Sequence, residues 1–154
     1  MTTEKAIETT RFGYLEYEAE DVVKFQEGML GFPGKTDFLI IEHKAGSPFR
    51  WLQSIDTGDL AFLVVDPGVY LADYAPEMPM EAAEKLELSE DTPRLVYTIV
   101  TIPRGKPEAM TLNLAGPLVI NLENRQAKQI VLETDLYPIK FPILQAQAQG
   151  EPAA

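Results

Sequence analysis

The run FRWLQS–IDTGD–LAFLVVDP, residues 49–67, decides the fold. Two segments rich in aromatic and aliphatic residues flank a short stretch of Asp, Thr and Gly, the pattern of two antiparallel strands and their turn. Residues 60–65 are apolar without interruption, which predicts a strand covered on both faces in mid-sheet. Trp51, the only tryptophan, lies in the partner strand and is expected to supply the largest apolar surface of the core. Asp66-Pro67-Gly68 ends the second strand, with Pro presetting φ at one turn position and Gly accepting positive φ at the next.

Outward from this hairpin the chain keeps one texture. Residues 7–17 read as a first hairpin, with Gly13 marking its turn or a bulge. Residues 21–25 (DVVKF) give a short strand, and Gly28, Gly31 and Gly34 then punctuate QEGMLGFPGK. That segment lacks the Gly-Lys-Ser/Thr ending of a phosphate loop, so it reads as turns that tuck Met29, Leu30 and Phe32 against the sheet. Residues 38–41, 94–102 and 129–133 are further strands. Residues 111–122 read as two strand pieces broken at Gly116-Pro117, as at a barrel corner. One helix is expected, over residues 80–88 (MEAAEKLEL). Pro79 stands at its start, acids fill its first turn, and Glu81 and Lys85 form an i,i+4 pair. Met80, Ala83 and Leu86 are expected to face the sheet, leaving Glu81, Glu84 and Glu87 as an acidic stripe. The reading is an all-β domain, mainly antiparallel, barrel-like or sandwich-like, with one short helix over residues 1–144. Residues 145–154 (QAQAQGEPAA) read as a disordered tail.

Charge and composition narrow the function. The chain has 154 residues, enough for one domain with a real core, and 24 acids against 13 bases give a net charge of −11. Such a surface repels phosphate backbones and anionic lipid, so direct nucleic-acid and membrane binding are disfavoured and a basic protein partner is favoured. The same charge also serves plain solubility. Without cysteine there is no disulfide, thiolate site or thiol nucleophile, and the single histidine, His43, cannot build a multi-histidine metal site. No cofactor is expected. The N-terminal residues lack an apolar signal core and no apolar run approaches membrane-spanning length, which predicts a cytoplasmic protein.

One catalytic pattern is present. Asp56-Thr57-Gly58 after an apolar strand matches the loop of aspartic proteases, in which two aspartates share a proton; a chain this short would have to dimerise to supply both. Asp59 adds a like charge beside such a dyad, and Asp, Thr and Gly are ordinary turn residues. Asp56, Asp59 and Asp66 have no known metal-ligand spacing. Candidates for partner contacts are Met29, Leu30 and Phe32 in the Gly-rich loop, Asp56 and Asp59 in the turn, and Tyr70 and Tyr74 in the Pro-bounded connection. Glu81 and Glu84 on the helix complete the set.

Several of these motifs recur in one family. Residues 25–32 (FQEGMLGF) look like its Phe-Pro-x-Gly-Ile-Pro-Gly-Phe segment. Trp51-Leu52-Gln53-Ser54, Asp66-Pro67, TLNLAGPLVIN (111–121) and the run 125–132 follow in the same order. From about Phe12 to Leu132 the sequence resembles the flagellar assembly factor FliW. Gln26, Met29-Leu30 and Gly116 depart from the family's usual residues at turn and packing positions. The resemblance implies a non-enzymatic binding protein with a β-barrel-like fold and two partners. One is the small RNA-binding translational regulator CsrA, whose repression of flagellin messenger RNA it relieves. The other is flagellin itself, held as by a chaperone.

Overall fold

The computed structural model describes residues 5–143 apart from 30, 33, 43 and 133–135. Their strands are β1 (Lys5–Thr9), β2 (Gly13–Tyr17), β3 (Val23–Phe25), β4 (Asp37–Glu42), β5 (Phe49–Ser54), β6 (Ala61–Val65), β7 (Arg94–Thr101), β8 (Thr111–Leu112), β9 (Leu118–Asn121), β10 (Gln126–Gln129) and β11 (Phe141–Pro142). Between β6 and β7 lies the α-helix α1 (Met80–Lys85). Strands β3-β4-β5-β6-β7-β9-β10 close into a seven-stranded barrel, because β7 pairs with β9 and β10 returns to β3. β1 and β2 form a separate two-stranded ribbon.

The hairpin expected from residues 49–67 is present, with Phe49 opposite Val65 and Gln53 opposite Ala61. Period-two alternation sorts its side chains. Leu52, Phe62 and Val64 point into the barrel beside Phe38, Tyr97, Leu118, Ile120, Val23 and Phe25. Trp51 is therefore on the other face. It is only partly buried, and the expectation that it forms the core is corrected. The guanidinium of Arg11 lies 4.0 Å above its ring and Phe12 meets it edge-on at 6.2 Å. The β1–β2 ribbon covers the tryptophan from outside.

β7 shows why residues 111–122 read as two pieces. Residues 94–97 pair with 121–118, and Val100 and Thr101 pair with Leu112 and Thr111 on the same side. Between them the chain bulges through Gly116. A Cβ there would stand 3.0 Å from Asn113 Nδ2 and 3.1 Å from Gln129 Nε2. Gly116 thus leaves room for two side-chain amides. The strand expected at 129–133 begins earlier, at Gln126, and beyond Gln129 the N–H groups of Ile130 and Leu132 still donate to Pro117 and Ala115.

Two apolar layers dress the barrel's outer face. One joins Val65, Val100, Leu112, Leu114 and Ile143 to Phe49, Tyr70, Leu71 and Tyr74. The other seats α1 through Ala82 and Leu86 on Val119 and Ile130. The helix is shorter than expected and rotated. Met80 is 78% exposed and Ala82, rather than Ala83, is buried with Leu86. Glu87 ends it in the left-handed region (φ 55). Its N–H donates to Glu84, while Leu88 N–H reaches back to Ala83. This is a Schellman closure with Glu in the usual Gly place. Asn121 Nδ2 donates to the carbonyl of Leu86 at 2.7 Å, tying the helix end to β9.

The ribbon's seat on the barrel is tight at Gly58. Its carbonyl accepts from Thr10 N–H at 3.0 Å, and a Cβ added there would lie 2.2 Å from the Glu8 carbonyl oxygen. Backbone cannot yield as a flexible side chain can. Gly58→Ala is expected to push the ribbon off and cost about 1–3 kcal/mol, read by urea unfolding. A red shift of Trp51 fluorescence in the folded protein should accompany it; an unshifted spectrum with unchanged stability would contradict this seating.

Candidate functional site

The residues singled out in the sequence divide by place. Met29 is 2% exposed and belongs to the barrel core, so its side chain is not on the surface. Leu30 lies outside the described residues. Phe32 is 38% exposed and meets Phe62 edge-on at 5.3 Å. Phe32 N–H donates to the Met29 carbonyl at 2.8 Å, which folds the loop so that one aromatic ring caps the barrel end.

Asp56 is a turn residue with work already assigned. Its Oδ2 accepts the N–H groups of Thr36 at 3.1 Å and Asp37 at 3.3 Å, fixing the start of β4 to the β5–β6 turn. That occupation suits a structural carboxylate, not one half of a proton-sharing pair. Asp59 is exposed and borders a cavity of about 230 Å³ with Thr10, Arg11, Gln53 and Gly58. Among the described residues there is no cluster of three or more His, Asp or Glu side chains that could hold a metal.

Tyr70 and Tyr74 are half-buried and bind the connection after β6 to the barrel wall. Tyr70 lies 6.4 Å from Phe49 between ring centres. Tyr74 donates its hydroxyl to the Leu114 carbonyl at 2.6 Å and packs edge-on against Tyr137 at 4.7 Å. Burial pushes both phenols above the usual tyrosine range, and Tyr97 inside the barrel with them.

Glu81 and Glu84 are exposed on α1. Glu81 pairs with Lys85 at 3.4 Å, as the spacing predicts. Lys85 also reaches Glu27 at 3.3 Å, and Lys128 reaches the same carboxylate at 2.7 Å. The Lys128 hydrogen bond first, then that of Lys85, holds the Glu27 carboxyl below its ordinary range. Glu27 thus gathers α1, β10 and the Gly-rich loop at one exposed point. Nothing in the local pattern around Glu27 announces this, since its partners lie 58 and 101 residues away.

Sequence reasoning also passed over the surface beside α1. Val131, Leu136, Ile139 and Met80 are 57, 78, 66 and 78% exposed. Residues 75–79 cross between two grooves there. One, of about 470 Å³, runs over Val96, Val119, Ile130 and Leu132 toward Asp66 and Arg94. The other, of about 530 Å³, lies against Val131, Leu132, Leu136 and Tyr137. The signal was available: Ile130-Val131-Leu132 is apolar on both faces, which a strand at a solvent edge does not need.

This geometry defines a small mixed β-barrel whose surface carries apolar grooves and exposed acidic residues. The FliW protein family model matches residues 5–143. The flagellar assembly factor FliW of Thermoanaerobacter pseudethanolicus is 43% identical over 140 residues, 90% of this chain and 93% of the relative. That of Caldanaerobacter subterraneus subsp. tengcongensis is 44% identical over the same shares. A crystal structure of the flagellar assembly factor FliW superimposes with a TM-score of 0.83 at 29% identity, covering 90% of this chain and 96% of the other. The chain belongs to the FliW family of flagellar assembly factors.

The buried phenols give a test of the outer layer. A tyrosine whose pKa rises on folding stabilises the fold fully below its unfolded value, near 10, and loses that contribution as pH climbs through the raised value. The phenolates of Tyr70, Tyr74 and Tyr97 are therefore expected to appear only together with unfolding, in an ultraviolet titration followed alongside circular dichroism. Tyr74→Phe should cost about 1 kcal/mol by freeing the Leu114 carbonyl. Complete phenolate formation in a still-folded protein would contradict the burial.

Proposed function

We propose that this chain is a cytoplasmic, non-enzymatic regulator that binds the basic RNA-binding protein CsrA and flagellin in alternation. Bound to CsrA, it keeps that repressor from flagellin messenger RNA; bound to flagellin awaiting export, it releases CsrA. The observation that carries this reading is the net charge of −11 on a chain of the FliW family. A protein that disarms an RNA binder gains twice from negative charge, which draws in the basic surface and repels the RNA. The described surface supports it: Glu77, Glu81, Glu84, Glu87, Glu90 and Asp91 are all exposed on or beside α1. Among the described residues no helix is long and apolar enough to cross a membrane.

Titration calorimetry against CsrA tests the reading. Micromolar or tighter binding is expected, weakening about tenfold between roughly 0.05 and 0.5 M salt, and disappearing when flagellin is preloaded. A Glu81→Lys, Glu84→Lys double variant should slow association about tenfold at low salt while leaving the melting temperature near wild type. No heat with CsrA or with flagellin at two well-separated temperatures would sink the regulatory reading.

A further inference from the structure

The groove of about 530 Å³ beside α1 has a feature its apolar lining does not explain. One wall is the segment 75–79 and the other is made by Val131, Leu132, Leu136 and Tyr137. Both walls carry unused backbone. Glu77 and Met78 neither donate nor accept a backbone hydrogen bond among the described residues, and Pro76 and Pro79 have no N–H to give. On the opposite wall, Ile130 and Leu132 donate to Pro117 and Ala115, so the N–H and C=O of their neighbour Val131 face the other way, and among the described residues they too have no backbone partner. Its side chain is 57% exposed. An extended β-type edge with a free N–H and C=O and an apolar, outward side chain is a template for another strand. Proteins that leave such an edge bare usually blunt it with charge or Pro on the edge itself; here Pro is on the facing wall only.

We propose that this groove is a strand-addition site, which receives an extended segment of a basic protein partner. The segment pairs its backbone with Val131 on one side and with Glu77 and Met78 on the other. Its alternate side chains enter the apolar lining formed by Met78, Leu132 and Leu136, because successive residues of a strand point to opposite faces. Charge selects the partner. Glu77 stands on the lip and Glu81 and Glu84 follow on α1, while the whole chain carries −11. A second copy of this chain is repelled and a cationic segment is attracted. The proposal rests on the reading of this protein as an antagonist of a basic RNA-binding protein, and it names where and in what conformation that partner is held.

Amide hydrogen exchange by NMR on the full chain, alone and saturated with CsrA, tests it. Free, the amides of Glu77, Met78 and Val131 should exchange at rates close to those of an unstructured chain. Saturated, they should slow at least tenfold while Tyr14 and Gly46, remote in sequence and exposed, stay unchanged. Two variants at one position separate backbone from side-chain recognition. Val131→Pro removes a donor that no described residue uses and is expected to weaken binding at least tenfold. Val131→Thr keeps the donor and the β preference and should weaken it less than threefold. If Val131→Pro lowers the melting temperature, the exchange measurement on wild type still decides. Binding of CsrA with no slowing at these three amides overturns the strand-addition site and leaves the regulatory reading standing. No binding of CsrA at all overturns both.

Discussion

One short join decides the shape of this protein: the parallel pairing of β3 with β10, in which Gln126 stands beside Lys24 and Ala127 beside Phe25. All other strand pairs among the described residues are antiparallel. Without this one the barrel would be an open sheet with two edges. The join is prepared by Arg125, whose backbone is in the left-handed region (φ 63). Its carbonyl accepts from Lys24 N–H at 2.9 Å, and its guanidinium donates to the Asp21 carbonyl. A residue that bears backbone strain is thus anchored at both ends to the segment it must meet. Closure then encloses Phe25, Phe38, Leu52, Leu118 and Ile120, each 0% exposed. Their burial stabilises the domain far more than any single hydrogen bond at its surface.

From closure the outer layers follow. A seven-stranded barrel this small fills its interior with one side chain from every second residue, so the other half must be covered from outside or left to water. Three devices provide cover: the β1–β2 ribbon over Trp51, the tyrosine-bearing connection over Val65 and Val100, and α1 over Val119. Each is fixed by a specific polar contact as well as by packing, respectively Thr10 to Gly58, Tyr74 to Leu114 and Leu86 to Asn121. Tyr70 and Tyr74 therefore hold the covering layer, and their aromatic surface is already in use. Among the regions these devices leave uncovered is the groove between residues 75–79 and Val131.

The strands were legible in the sequence because alternation and turn residues are local. The hairpin at 49–67, the break at Gly116-Pro117 and the acidic exposure of Glu81 and Glu84 all follow from patterns within about a dozen residues. What was not legible depends on partners far along the chain. Alternation says that Leu52 and Trp51 face opposite ways, but not which faces the core; the size of Trp51 pointed inward, and the ribbon made outward possible. The helix register failed for a similar reason. Residues 80–88 contain apolar positions compatible with two faces, and the left-handed stop at Glu87 selects the one with Ala82. The parallel join carries no local mark at all, since antiparallel pairing is what short turns imply. Among site residues, Met29 was read both as tucked against the sheet and as a partner contact; its burial in the barrel core agrees with the first and takes its side chain out of the second.

Charge and edge chemistry meet in one constraint. A barrel removes sheet edges where its strands pair, and past the parallel join with β3 the direction of β10 runs on to Val131. An exposed apolar edge on a protein of low net charge invites self-association. At −11, charge repulsion between copies opposes such pairing. On the proposed reading, the acidic surface is a filter in front of that edge, favouring cationic partners over the protein's own copies. Specificity of this kind needs no deep pocket and no catalytic group. It needs only an edge left open and a field that decides what may approach it.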